Sequence, residues 1–188
     1  HRVEIEERIM YYSVIKNCDI ANGPGVRVVL FVSGCRHHCP GCFQPQTWDF
    51  SYGQPFTQDT VDELLRLLQP DYIAGLTLLG GEPMEPENQP ALLDLVQQVK
   101  QAYPGKNIWC FSGYLYDDLA AGKIGDGAVT RALLGLVDVL VDGEFILARK
   151  KLQLRFRGSE NQRLIDLRKT EQAGQVVLWT DEKEGKKT

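Results

Sequence analysis

Three cysteines, Cys35, Cys39 and Cys42, fall within eight residues of a 188-residue chain. Their spacing is C-x3-C-x2-C, and no fourth cysteine lies nearby. Thiolates are the soft ligands that zinc and iron–sulfur clusters select. A structural zinc site closes with four protein ligands, and iron–sulfur clusters usually take four thiolates. Three ligands on one short loop can instead hold three irons of a cubane and leave the fourth iron open. An open metal position is where substrate binds, by the logic that separates catalytic from structural zinc. The alternatives at these residues are a zinc site completed by His37 or His38, and a redox thiol set. Adjacent histidines in a tight loop rarely both ligate, so this pair is expected to shape the loop, touch a partner, or donate from behind the ligands. A second polar cluster, Gly80-Gly81-Glu82-Pro83, has glycines that let backbone approach a ligand and a carboxylate that can accept from an ammonium. Alone, it reads equally as a turn entering a helix.

These residues need elements to hold them. Val28–Val32 is an apolar run that reads as a buried strand, ended by Ser33-Gly34. Thr57–Gln69 carries apolar residues at Val61, Leu64, Leu65 and Leu68, which is helical spacing, with Thr57 or Thr60 as cap and Pro70 as stop. Ile73–Leu79 reads as the second strand and delivers the glycine pair. Pro90 suits the first turn of a helix with Leu92, Leu93, Val96 and Val99 on its apolar face. Ile108–Phe111 is the third strand, ending at Ser112-Gly113. Helical stretches follow near Leu115–Ala121 and Ala128–Leu136, then a strand at Val137–Val141 ending at Asp142-Gly143, and a fifth strand at Leu152–Arg157. Upstream, Asn22-Gly23-Pro24-Gly25 is a tight turn leading into the first strand.

Strand–helix alternation implies a parallel sheet with right-handed crossovers. Polar or glycine-rich residues follow nearly every strand, at the edge where parallel α/β sheets place their sites. Four or five strands are too few to close an eight-strand barrel. The expected fold is therefore α/β, a partial (β/α) barrel of mostly parallel strands with an open side for a large partner. Its core would span residues 10–180, after an N-terminal extension at 1–9 and before a charged, disordered tail at 181–188.

A 43 % hydrophobic content supports a real core. No run approaches the roughly 20 apolar residues of a membrane span, and the charged start HRVEIEER is not a secretory signal, so the cytoplasm is the expected compartment. Net charge is −4 with scattered basic residues apart from Arg149-Lys150-Lys151, which leaves no footprint for nucleic acid. Five cysteines, three of them crowded, favour metal over disulfides. Cys18 and Cys110 are isolated and read as core or strand residues.

With C-x3-C-x2-C after a first strand and GGEP after a second, the sequence resembles the radical S-adenosylmethionine (SAM) superfamily. Gly23-Pro24-Gly25-Val26-Arg27 narrows the resemblance to activating enzymes of glycyl-radical enzymes. FVSGCRHHCPGCF, VLVDGEF and RGSENQR make it similar to the branch that serves anaerobic ribonucleoside-triphosphate reductase. The resemblance covers about Met10 to Arg168. Many superfamily members carry an aromatic just before the third cysteine; here Gly41 stands there and Phe43 follows, which moves the adenine-contacting aromatic.

What the resemblance implies is a 4Fe-4S cluster on Cys35, Cys39 and Cys42, with SAM as cosubstrate on the open iron. Reductive cleavage to a 5′-deoxyadenosyl radical would then install a glycyl radical on the reductase, with reduced flavodoxin or ferredoxin as the usual electron donor. SAM would be bordered by Gly41, Cys42, Phe43, Gly80, Gly81, Glu82, Ser112, Gly113, Asp142 and Arg157. Ser112 and Gly113 would lie at its methionine or ribose, and Asp142 at its ribose or a cation. Arg157, with Ser159, Asn161 and Gln162, would hold its carboxylate or grip the partner. The alternatives are an activase of another glycyl-radical enzyme, such as the pyruvate formate-lyase type, and a non-catalytic iron–sulfur or zinc module.

Overall fold

A computed structural model of the chain describes residues 9–181. The elements in chain order are β1 (Tyr11–Asp19), β2 (Val26–Val32), β3 (Gln54–Pro55), α1 (Gln58–Leu68), β4 (Ile73–Gly80), α2 (Gln89–Ala102), β5 (Asn107–Phe111), α3 (Tyr116–Ala120), α4 (Gly127–Leu134), β6 (Val139–Asp142), β7 (Arg163–Asp166) and α5 (Leu167–Ala173). The strands form one seven-stranded sheet of order β3-β1-β2-β4-β5-β6-β7. The central four, β2, β4, β5 and β6, are parallel, while β1, β3 and β7 join antiparallel at the flanks. The fold is mixed α/β, partly parallel. The proposed extension at 1–9 and tail at 181–188 lie outside the described residues, except Ile9 and Asp181.

Alternation along the strands sorts side chains onto two unlike faces. Val28, Leu30 and Val32 of β2, Leu76 and Leu78 of β4, Ile108 and Cys110 of β5, and Leu140 of β6 pack against the buried faces of the helices in the main core. Their neighbours face the other way. Trp109, Val139 and Val141 form a second, smaller cluster with Phe111, Phe156, Leu164 and Trp179, none of them in a helix of the described residues. α1 shows why the helical pattern was readable: Val61, Leu64 and Leu68 are buried, and the Thr57 amide donates to Thr60 Oγ1 at 3.1 Å across its first turn.

Two readings are corrected by the sheet. β1 gave no strand signal because its pairing with β2 breaks register between Tyr12 and Val14 and again between Lys16 and Asp19. Such irregularities shift the in–out phase that a period of two relies on. The reverse error occurs at Leu152–Arg157. Leu152, Leu154 and Phe156 alternate as strand residues do, yet the segment is irregular, turned by Phe156 at φ +59°, with Leu152 88 % exposed. The edge of β6 that it would need is taken by β7, antiparallel, from Val139↔Asp166 to Asp142↔Arg163.

Arg27, at the start of β2, is fully buried without a carboxylate hydrogen-bonded to it. Its Nε donates to Thr77 Oγ1 at 2.8 Å, Nη1 to Asn107 Oδ1 at 2.7 Å, and Nη2 to the Leu76 carbonyl at 3.0 Å. Burial lowers its pKa to about 10, and the neutral oxygens around it are what keep the guanidinium there. Thr77 Oγ1 passes its own proton to the Asn22 carbonyl at 2.8 Å, so the glycine turn is tied to the sheet through this arginine. Arg27→Leu strands these acceptors, and we expect a loss of about 3 kcal/mol. That would appear as a melting temperature lowered by roughly 6–12 °C in differential scanning calorimetry. Arg27→Lys should recover only part of it, because one ammonium cannot reach the same fork of acceptors.

Candidate active site

The C-terminal ends of the four parallel strands converge on one cavity of about 540 Å³. Cys35, Cys39 and Cys42 line it from the loop after β2, Gly80-Gly81-Glu82 from the end of β4, Ser112-Gly113 from β5, and Gly143 from β6. Phe31, Leu79 and Phe111 form part of its wall on the helix-free face of the sheet.

The cysteine loop is shaped by backbone geometry. Gly34 (φ +100°), His38 (φ +49°) and Gly41 (φ +78°) take left-handed conformations between and around the three thiols. The loop closes on itself through Gly34 N–H to the Thr47 carbonyl at 2.7 Å and Cys35 N–H to the Trp48 carbonyl at 3.2 Å. His38 stacks on Trp48 at 4.3 Å and 11°. All three cysteines are free thiols, Cys35 buried and the other two half-buried. Burial pushes the Cys35 thiol up to about 12, and burial, followed by the charge of Glu144, raises that of Cys39. The Gln44 amide donates to Cys42 Sγ at 3.4 Å.

Glu82 is the junction of the site. Its carboxylate is 1 % exposed. Oε1 accepts from Gly113 N–H at 2.6 Å, His37 Nε2 at 2.7 Å and Ser112 Oγ at 3.0 Å, and Oε2 accepts from Met84 N–H at 2.8 Å. The other ring nitrogen of His37, Nδ1, meets Glu144 Oε1 at 2.8 Å. Burial alone would lower the His37 pKa, but Glu82 and then Glu144 override it and bring it up to about 9. At neutral pH His37 is therefore an imidazolium donating to both carboxylates, and neither nitrogen is left to bind a metal. Arg36 adds a second tie, pairing with buried Glu85 and with Glu87, while Tyr114 Oη donates to Glu85 at 2.7 Å. Buried Asn88 donates to the carbonyls of Ser33 at 3.0 Å and Glu82 at 2.9 Å.

Of the residues singled out from sequence, Cys35, Cys39, Cys42, Phe43, Gly80, Gly81, Glu82, Ser112, Gly113 and Arg157 line the cavity. Gly41 is set back from it, its Cα facing Leu147, and Asp142 points elsewhere. The Asp142 carboxylate takes Arg163 Nε at 3.0 Å and Nη2 at 2.6 Å, and the Tyr116 amide at 2.9 Å. Gln162 and Asn161 brace the loop after β6: Gln162 Nε2 donates to the Gly143 carbonyl at 3.0 Å and Asn161 Nδ2 to that of Glu144 at 2.8 Å. The VLVDGEF and RGSENQR segments are thus one structural unit. Sequence reasoning missed Glu144, Asn88 and the Arg36–Glu85 pair, whose partners lie far away along the chain. Cys110, buried in β5, and Cys18, exposed in β1, are both strand residues, as expected.

The glycine pair earns its place sterically. A Cβ on Gly81 would stand 2.7 Å from the Gly34 carbonyl oxygen and 2.8 Å from that of Thr47, both backbone. Gly81→Ala should therefore push the cysteine loop off β4. We expect iron retained after anaerobic reconstitution to fall severalfold, measured by iron analysis and visible absorbance, with the secondary structure unchanged by circular dichroism.

Comparison with known proteins identifies the family. Residues 21–165 match the family described as a 4Fe-4S single cluster domain. The chain is 45 % identical to the anaerobic ribonucleoside-triphosphate reductase-activating protein of Enterobacteria phage T4, over 82 % of this chain and 93 % of that one. It is 43 % identical to the Escherichia coli K12 protein of the same description, over 84 % and 97 %, and 44 % identical to that of Vibrio cholerae, over 81 % and 92 %. The chain belongs to the family of anaerobic ribonucleoside-triphosphate reductase-activating proteins.

Proposed function

We propose that this chain is a radical SAM activase that installs a glycyl radical on the anaerobic ribonucleoside-triphosphate reductase. The observation that carries the reading is the placement of three free thiols from one loop on the same cavity as the Gly80–Glu82 and Ser112–Gly113 strand ends. The donor set fits a 4Fe-4S cluster. Cys35, Cys39 and Cys42 would hold it, and the charge of the irons would offset the burial that raises the Cys35 and Cys39 thiols. Among the described residues no three His, Cys, Asp or Glu side chains converge to hold a single ion. Three thiols facing one cavity suit an inorganic core with separate corners better than one zinc ion. Trp48, on the cavity wall, also keeps a buried Nε1–H without a partner among the described residues, a donor for a bound group.

When bound, the cluster supplies the electron for reductive cleavage of SAM to methionine and a 5′-deoxyadenosyl radical, which takes hydrogen from a glycine of the reductase. The protein's own work is binding, orientation and exclusion of solvent. Gly80 and Gly81 present bare backbone to the cosubstrate, with Ser112 and Gly113 beside it. Phe43, 66 % exposed next to Cys42, offers a ring for the adenine, and Arg157 on the facing wall a cation for the carboxylate. Glu82 carries four protein donors, so its part is to hold His37 and the β5 end in place, leaving nearby carbonyls to accept from the SAM ammonium. Asp142 orders the β6 end through Arg163, and Gly41 sets the turn between Cys39 and Cys42. The Gln44 amide on Cys42 Sγ is a hydrogen bond of the kind that tunes cluster potential.

Helices on one face of the sheet and the cavity on the other support an open partial barrel of the radical SAM type over residues 10–180, its open side admitting the reductase. Reduced flavodoxin or ferredoxin fits the need for a one-electron donor, and the cytoplasm fits thiols that must stay reduced. No helix among the described residues is long and apolar enough to cross a membrane.

Anaerobic reconstitution tests the reading. The expected product is a brown protein with about four irons per chain that releases methionine and 5′-deoxyadenosine from SAM on reduction. With the reductase added, a glycine-centred EPR doublet should follow. Cys35→Ala, Cys39→Ala and Cys42→Ala should each abolish SAM cleavage, while Cys18→Ala and Cys110→Ala retain it. A colourless, zinc-loaded protein inert toward SAM would overturn the assignment.

A further inference from the structure

The activase reading leaves one conspicuous surface unused. Residues 149–157, RKKLQLRFR, hold five cations in a chain of net charge −4. The segment is pinned at its ends and free at its tip. Lys150 bridges to Ser159, the Glu160 amide donates to the Arg149 carbonyl at 3.0 Å, and Arg155 pairs with Asp181. Between these anchors Leu152 stands 88 % exposed, and Leu147, just before the segment, is 54 % exposed. Burying a leucine side chain is worth about 1.5–3 kcal/mol, so two held open beside a run of cations mark a surface built to be covered.

The segment also forms the rim of the active-site cavity: Lys150, Lys151, Leu152 and Leu154 line it opposite the cysteine loop. The two sides touch at the mouth, where Lys150 Nζ lies 5.0 Å over the Phe43 ring and Phe43 meets Phe145 at 5.4 Å. Among the described residues, the nearby carboxylates do not balance the charge. Arg149 and Lys151 share Glu160, Arg155 has Asp181, Arg157 donates to the Glu160 carbonyl at 3.4 Å, and Glu144 is turned to His37.

Resting on the activase reading, we propose that residues 149–155, with Leu147, dock the reductase segment carrying the target glycine, and select one bearing acidic side chains next to an apolar residue. The choice of occupant follows from the chemistry. Hydrogen-atom transfer needs its two carbons in van der Waals contact, so the glycine must enter the cavity and its flanking residues must cross this rim. An electron donor has no such requirement, because an electron can tunnel from outside. Leu152 and Leu147 supply the apolar seat, and the unbalanced cations supply attraction, partner choice and rapid encounter.

The test uses reconstituted holoprotein and intact reductase, with affinity measured by interferometry under anaerobic conditions. Lys150→Glu combined with Lys151→Glu should weaken reductase binding by at least about tenfold, and Leu152→Asp should act in the same direction. Wild-type binding should weaken as salt rises from about 0.05 to about 0.3 M, and the charge-reversed protein should lose most of that salt dependence. Equal affinity of wild type and charge-reversed protein would overturn the docking assignment and leave the activase reading standing. So would a defect confined to SAM cleavage driven by flavodoxin, absent with a chemical reductant, which would make the rim a donor surface. A wild-type holoprotein that neither cleaves SAM nor binds the reductase would sink both.

Discussion

The site depends on one buried carboxylate. Glu82 lies under the cavity where an unpaired charge would cost several kcal/mol, and the structure meets that cost with an imidazolium, a hydroxyl and two amides. The four donors come from three places: His37 from the loop after β2, Ser112 and Gly113 from the end of β5, Met84 from the loop after β4. His37 extends the chain of contacts to Glu144 after β6. Four strand ends are thereby tied through two side chains. A cysteine loop with three left-handed residues has little regular structure of its own, and these ties let it present three thiols in a fixed arrangement.

The sheet explains why the ties can sit there. Parallel strands bring their C-terminal ends to one edge, and the in–out alternation gives them a helix-covered face and an uncovered one. The main core fills the first face with aliphatic residues, so the cavity is left to the second. Its floor and walls mix aromatic and small residues with a few leucines, which suits a planar, partly polar ligand. Arg27 does at the opposite edge what Glu82 does at this one. It is a buried charge satisfied by neutral groups from β4, β5 and the glycine turn, and it fixes how the strands begin.

The far wall is built from two segments that are hydrogen-bonded to each other. The loop after β6 hangs on Gln162 and Asn161, and Gln162 Oε1 in turn accepts from the amides of Gly158 and Ser159. A glutamine used on both its donor and acceptor sides can hold two loops in register without a charge. The rim between these anchors carries the exposed leucines and the basic run, so the rigid and the uncovered parts of the wall alternate.

Local chemistry was legible from residue order alone. The C-x3-C-x2-C spacing, the glycine pair after a strand and the helical period of α1 and α2 are short-range patterns, and each falls where the pattern placed it. Phase-dependent reading failed where the phase was broken, as at the register shifts of β1, or where alternation had no edge to pair with, as at Leu152–Arg157. What only the tertiary structure decided is which distant groups neutralise one another. His37 meets Glu82 across 45 positions and Glu144 across 107, and Asp142 turns away from the cavity because Arg163, 21 residues on, claims it. A thiol's reach for metal is set by its own type and its near neighbours. A buried charge is satisfied by whatever the fold brings within 3 Å, and no spacing along the chain records that.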